Sequence, residues 1–346
     1  MNLTQLNSAF TLFLSLLVEA VPFLLLGVLF SGLLLFFVDE RKLIRWLPKN
    51  PFLGALVGSC VGFLFPVCEC GNVPVARRLL MQGAPSPVAI GFLLAAPTIN
   101  PIVFWATWTA FRDQPEIVFM RVGFSLAIAT IIGWVFSAQA DLRPLLQPAV
   151  ARAIPGMGVR GQGLGVRGKA VTSSLLQSGT YFLGQSDKPL QIDAAELQAR
   201  MLGANTADKP ASSKLLLLLD NTVQELRELG GVLVLGSAIA AIVQVFVPRD
   251  IILNLGQSPV TSILAMMLLA AIVSICSTVD SFFALSFAST FTTGSLLSFL
   301  VFGPMIDLKG IGLMLSIFKA RAVFYLFALA ALLTFLFTLI VNLYVS

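Results

Sequence analysis

Continuous apolar blocks such as residues 23–38 and 323–341 constrain this chain more than any other feature of its sequence. A bilayer core of about 30 Å is crossed by roughly 20 apolar residues rising 1.5 Å each, and only structures that satisfy their own backbone hydrogen bonds persist there. The blocks do not alternate apolar and polar residues as the strands of a membrane barrel would, so helices are expected. Composition agrees. Of the 346 residues 57% are hydrophobic and 11% charged, with mean hydropathy +0.92, and such a chain cannot present a water-soluble surface.

The expected fold is an all-α polytopic membrane protein with about eight hydrophobic segments, at 10–38, 52–67, 88–111, 117–138, 231–247, 260–275, 295–306 and 323–343. No Lys or Arg precedes Arg41, and the first apolar stretch is too long for a signal-peptide core, so it is expected to be a retained span. A polar stretch rich in Gly, Arg, Ser and Pro separates two membrane parts, which gives three regions: 1–139, a linker at 140–220 and 221–346. The net charge of +5 comes from Lys and Arg in loops beside spans, as the positive-inside rule expects, and does not point to nucleic acid.

The two membrane parts read as copies of one unit. Glu19 precedes Gly27 by the same interval as Glu228 precedes Gly236. Cys68 leads to Pro97 and Asn100, and Cys276 leads to Pro304 and Asp307, in the same order. Basic residues at Arg41, Lys42, Arg45 and Lys49, in the linker, and at Lys309, Lys319 and Arg321 are expected on one side of the membrane. An even number of crossings between them follows if 88–111 is a re-entrant hairpin broken at 97–101 and 281–307 is its counterpart. The halves are then inverted, both termini lie outside, and Arg77 and Arg78 fall outside as well. If every segment is a full span, the halves are parallel instead.

Polar groups interrupt the apolar chain at matched places. In the stretch 65–78, two prolines, Gly71, Cys68, Glu69, Cys70 and Asn72 break helical hydrogen bonding, and 275–281 repeats the theme with Cys276 and Asp280. Backbone freed at membrane depth is tolerated only where it is buried in protein or lines a wet cavity, so the alternative to an interfacial loop is a binding site. Pro97 and Pro304 each remove an amide donor inside an apolar block. Asn100 and Asp307 then occupy equivalent positions. An intramembrane carboxylate costs on the order of 3 kcal/mol unless it is paired or wet. Lys309 could pair Asp307, or Asp307 could hold a coupling ion; Glu69 and Asp280 are the other candidate coupling carboxylates. Glu19 and Glu228 are read as lying one turn inside the interface. Cys68, Cys70 and Cys276 could hold a soft thiophilic species, whereas Cys60 reads as apolar filler.

Several chemistries are excluded. The chain has no histidine, so a His-ligated metal site or a His-dependent triad is out, and no cofactor or metal is expected. Glycine patterns in the linker at 156–168 imitate nucleotide loops, but none follows a strand, and Ala170 stands where a Ser or Thr would bind magnesium.

At these residues the sequence resembles the bacterial predicted-permease family that includes the organoarsenical efflux permease ArsP and YraQ-like proteins. The likeness is carried by Cys68 to Arg77 with 83–85, by 93–101, and by 299–309, and it spans both membrane parts but not the linker. Family members more often carry Ser where Glu69 stands, and carry an acidic residue soon after the cysteine of the second half, here Cys276, a place for which Asp280 is the candidate. The resemblance implies a plasma-membrane permease of a small solute or ion. Trivalent methylated arsenicals are the substrate in one branch, and some relatives pair with a second membrane subunit. Ion-coupled alternating access, a channel, a non-transporting membrane subunit and a homo-oligomer all remain open on sequence grounds. The pathway candidates are Cys68, Glu69, Cys70, Asn72, Pro97, Asn100, Cys276, Asp280, Pro304 and Asp307.

Overall fold

The structure, a computed structural model, describes residues 3–37, 47–48, 50–65, 68–138, 143–153, 180–181, 192–193, 211–246, 258–288 and 290–344. Pro66 and Val67, the basic residues at Arg41, Lys42, Arg45 and Lys49, and the glycine patterns at 156–168 lie outside the described residues.

The first membrane part contains α1 (Leu3–Phe37), α2 (Pro51–Val61, extended by a 3-10 turn at Gly62–Leu64), α3 (Glu69–Met81), α4 (Ser86–Ile99), α5 (Pro101–Ala110) and α6 (Pro115–Ser137). A short α7 (Pro148–Ala153) and the antiparallel two-residue strands Thr180–Tyr181 and Ile192–Asp193 follow. The second part contains α8 (Ala211–Phe246), α9 (Pro259–Val273), α10 (Asp280–Leu285), α11 (Thr293–Met305), α12 (Leu308–Met314) and α13 (Ala320–Tyr344). Proline sits at the start of α2, α5, α6 and α9, where its missing N–H costs nothing. Side chains satisfy the orphan amides there: Asn50 accepts from the Phe52 amide at 3.1 Å, and Ser258 forms a reciprocal capping box with Thr261.

Among the described residues, six stretches are long and apolar enough to cross a membrane: Leu6–Gly32, Ser86–Ala110, Pro115–Ser137, Thr222–Val245, Thr293–Met314 and Ala320–Tyr344. Two shorter apolar helices, Pro51–Leu64 and Pro259–Val273, accompany them. The expected eight segments are thus six candidate spans and two half-length helices in an all-helical membrane bundle. The start of the second part also differs from expectation. The helix expected from 231 begins at Ala211 and carries Glu225 and Glu228.

Packing fixes the direction of each element. Gly58 meets Val88 and Gly62 meets Ala96 so closely that a Cβ on either glycine would overlap the backbone of α4. Rising numbers on both helices make α2 parallel to α4. Because α3 returns the chain to the start of α4, α2 and α3 form a hairpin that enters and leaves on one side. Gly133 lies against Pro87 and Arg121 reaches Thr107, so α4 and α5 together run the length of α6 in the opposite direction. The expected re-entrant hairpin at 88–111 is therefore corrected: Asn100 interrupts a traverse, and the hairpin is the preceding pair. A break marked by proline looks the same in sequence whether the chain continues or turns back, and only helix partners distinguish the two.

The second part is built alike. Ser262 bonds to Ser295 at 2.5 Å and Ser298 donates to the Ile263 carbonyl at 3.3 Å, which makes α9 parallel to α11. Gly294 packs against Thr338 and Asn342 near the end of α13, so α13 opposes α11. The counterpart expected at 281–307 is corrected in the same way, to α9 with α10. Residues 145–147 are tied to the start of α13 by backbone bonds, Lys319 N–H to the Leu145 carbonyl at 2.7 Å and Gln147 N–H to the Ile317 carbonyl at 2.8 Å, and Phe124 early in α6 meets Phe337 late in α13, ring centroids 5.4 Å apart. These two helices therefore run in opposite directions. α1 and α8 are also antiparallel, with Ser31 near Glu225 and Leu16 packed with Ala240.

Candidate functional site

Each traverse breaks at a polar N-cap. Asn100 leaves the helix with extended backbone (φ −66, ψ 155) and its side chain accepts from the Val103 amide at 2.9 Å, starting α5. Asp307 does the same (φ −125, ψ 172) and accepts from the Gly310 amide at 2.6 Å, starting α12. Pro97 deprives the Leu93 carbonyl of its helical donor, and Asn72 of the hairpin supplies one instead, Nδ2 to O at 2.5 Å. In the second part Ser274 ends α9 in the left-handed region (φ 46), and its Oγ accepts from the Leu308 amide at 3.1 Å. Each hairpin tip is thus fastened to the traverse of its own half. Pro304 lies inside α11 as Pro97 lies inside α4.

The tips and breaks bring several candidates together. Cys68, Cys70 and Cys276 are buried free thiols, while Cys60 is exposed. Cys68 lies near both Cys70 and Cys276, and Thr278 donates to Cys276 Sγ at 3.6 Å. Glu69, at the head of α3, lies within electrostatic reach of Cys276, Asp307 and Lys309. Lys309 is 2% exposed, has its Nζ 3.9 Å from Asp307 Oδ2, and also faces Cys70, Glu69 and Glu19 of α1. The pairing of Asp307 with Lys309 considered from sequence is present, but deep in the protein. Glu69 Oε1, Asn72 Oδ1 and Asp307 Oδ2 have no hydrogen-bond partner. Other unmet buried atoms are scattered through the bundle, but here three unmet acceptors gather beside buried thiols and an ammonium group.

Close approach makes this cluster possible. Gly27 of α1 lies against Gly71, and a Cβ at Gly27 would overlap the Gly71 carbonyl. Only two glycines let α1 press against the head of α3.

Asp280 lies apart from the thiols' polar neighbours, in a network that sequence reasoning missed. Arg121 of α6 binds it bidentately, at 3.1 Å and 2.7 Å to its two carboxylate oxygens. The same guanidinium donates to Thr107 and Ser281, both at 2.8 Å, and to the Ser277 carbonyl at 3.4 Å. A bidentate Arg–carboxylate pair is the strongest common form of ion pair. The signal was present: Arg121 is the only charge between 117 and 137, and such a charge requires a partner.

A second network lies toward the opposite end of the bundle, where α3 ends and α8 begins. Arg78 pairs with Glu225 at 3.1 Å, each side chain 1% exposed, and Ser31 donates to Glu225 at 3.0 Å. Arg77 pairs with Glu228 at 3.0 Å nearer the surface. Because α3 belongs to a hairpin, Arg77 and Arg78 lie on the side where α6 ends and α8 starts, which corrects the expectation that they fall on the side of the termini. Glu228 is an ion-pair partner and Glu19 faces Lys309. Among the described residues no group of three or more Cys, Asp or Glu side chains is arranged to hold a metal ion.

A family profile described as "Predicted permease" (ArsP_1) matches residues 5–343. The chain belongs to this predicted-permease family. It is a multi-pass membrane protein of a transporter family, not of an enzyme family. It is 39% identical to the UPF0718 protein YcgR of Bacillus subtilis (strain 168) over 322 residues, 93% of this chain and 92% of the relative. It is 32% identical over 331 residues, 96% of this chain and 94% of the relative, to a Streptococcus mutans serotype c protein named as a candidate subunit of a two-component membrane permease complex. No solved structure matches the chain.

Proposed function

We propose that this permease moves a small solute across the plasma membrane by ion-coupled alternating access, with the halves 1–139 and 221–346 as inverted repeats and the stretch 140–220 as their cytoplasmic linker. The observation that carries the reading is the meeting of hairpin tips and helix breaks from both halves around buried polar groups with unmet acceptors. The element order supports repetition: a long helix, a hairpin, a broken traverse and a closing helix occur in each half. The antiparallel course of α6 and α13 supports inversion. Lys319 and Arg321 flank the end where α6 meets α13, and the positive-inside rule makes that side cytoplasmic and leaves both termini outside.

Ion pairs join the halves on both sides of the thiols, Arg78–Glu225 toward the cytoplasmic side and Arg121–Asp280 toward the other. Closure on both sides favours a carrier over a channel. The thiols of Cys68, Cys70 and Cys276 fit a thiophilic solute such as a trivalent organoarsenical, which binds paired sulfur. The test is efflux of a trivalent methylated arsenical from an expressing host, and its flux under a proton gradient in proteoliposomes. Resistance and flux should be lost in Cys68→Ser and Cys276→Ser at unchanged folded yield. Wild-type protein giving neither resistance nor flux removes that substrate.

The Streptococcus mutans relative supports a second element of the reading, a partner membrane subunit. Flux by the purified chain alone would show that the partner is not required.

A further inference from the structure

Ion-coupled alternating access requires a group that binds and releases the coupling ion inside the bundle. Glu69 is 6% exposed and its Oε1 meets no donor. The charged and titratable groups that face it come from every neighbouring element that has them: Cys68 and Cys70 beside it, Cys276 from the other hairpin tip, and Asp307 and Lys309 from the break before α12. Glu19 on α1 faces Lys309, while α4 contributes no ionisable side chain. Farther along α3, Arg77 and Arg78 are already engaged by Glu228 and Glu225 on α8.

Charge decides what this arrangement takes. Lys309 is committed to Asp307, so one ammonium offsets one carboxylate, and Glu69 remains. Glu69 takes a backbone hydrogen bond but leaves Oε1 without any donor; an ionised carboxylate buried in that state is costly, and the inexpensive remedy is to bind a proton. A metal cation would have to sit beside an ammonium group, with like-charge repulsion and few oxygens to hold it. A proton needs only the one oxygen that is free. We infer that the coupling ion is a proton, that Glu69 carries it, and that the Lys309 ammonium, contributed by the other half, receives Glu69 once the proton has left.

The carboxylic acid of Glu69 releases its proton to water entering the opened pathway, and the resulting carboxylate shares Lys309 with Asp307 across the seam between halves, so the cluster holds one net negative charge until the next proton binds. Binding of the next proton frees Lys309 to return wholly to Asp307. This inference rests on the permease reading for its purpose, but the site itself can be tested without a transported solute.

Infrared difference spectra of the full chain in lipid vesicles, titrated with pH, should contain the carbonyl band of a protonated carboxylic acid. Glu69→Gln should remove that band, and Glu116→Gln, at the start of α6, should not. Lys309→Met should move the band's titration upward by about one pH unit or more, since a nearby ammonium favours the ionised form. A band that survives Glu69→Gln, or one whose titration ignores Lys309→Met, overturns the proposal. If the spectra behave as expected but arsenical flux ignores a pH gradient, the proton site stands and the coupled-permease reading fails.

Discussion

Two buried polar regions of this protein are built on opposite principles. Around Arg121 the network is nearly filled: both oxygens of Asp280 accept from the guanidinium, and Thr107, Ser281 and the Ser277 carbonyl take further donors, with only Arg121 Nε and Ser277 Oγ left over. Around Glu69 and Asp307 acceptors are left unmet, thiols cluster, and a single ammonium serves several carboxylates. A filled network holds one arrangement, whereas a half-filled one costs free energy until something else enters. The contrast separates a structural tie between the halves from a place where cargo or protons come and go.

The largest expected effect breaks the filled side. Arg121→Met leaves Asp280 buried and unpaired and should cost about 3–5 kcal/mol, read as loss of folded yield or a large drop in melting temperature in detergent. The paired change Arg121→Met with Asp280→Leu should recover most of that loss. Next, Gly27→Ala forces α1 away from Gly71 and should cost about 1–3 kcal/mol, with cross-linking between α1 and α3 reduced in proportion. Arg77→Gln removes a pair whose Glu228 side chain is 41% exposed, and the same melting assay should register less than about 1 kcal/mol. The smallest stability effect belongs to the half-filled side: Glu69→Gln should melt within about 0.5 kcal/mol of wild type while its infrared band disappears. Comparable losses for Arg121→Met and Glu69→Gln would erase the distinction between the two regions.

Membrane embedding and the polar breaks at Cys68, Asn100, Cys276 and Asp307 were legible in the sequence, because apolar length and proline have direct structural meanings. The course of the chain through those breaks was not. Residues 88–111 read as a hairpin because Pro97 and Pro101 interrupt them, yet the glycines that set helix direction, Gly58, Gly62 and Gly133, reveal it only through the neighbours they touch. Glu225 escaped notice because polar residues before 231 hid a helix that continues back to Ala211. Arg121 is a lone cation among apolar residues and so requires an anion elsewhere in the fold, but nothing in the sequence says that the anion is Asp280, 159 residues away. Glu69 and Lys309 could be named as polar residues near breaks, but their adjacency depends on α3 and α12 lying side by side.

The donor missing at Pro97 has a mechanical corollary. The orphaned Leu93 carbonyl is held by Asn72, and Leu308 is held by Ser274 in the other half, so each re-entrant loop is riveted to its companion helix. Any large displacement must then slide one riveted assembly past the other. The rubbing surfaces of that slide include those where α1 faces α8, α3 faces α12 and α5 faces α10, and labels placed across them would report the motion.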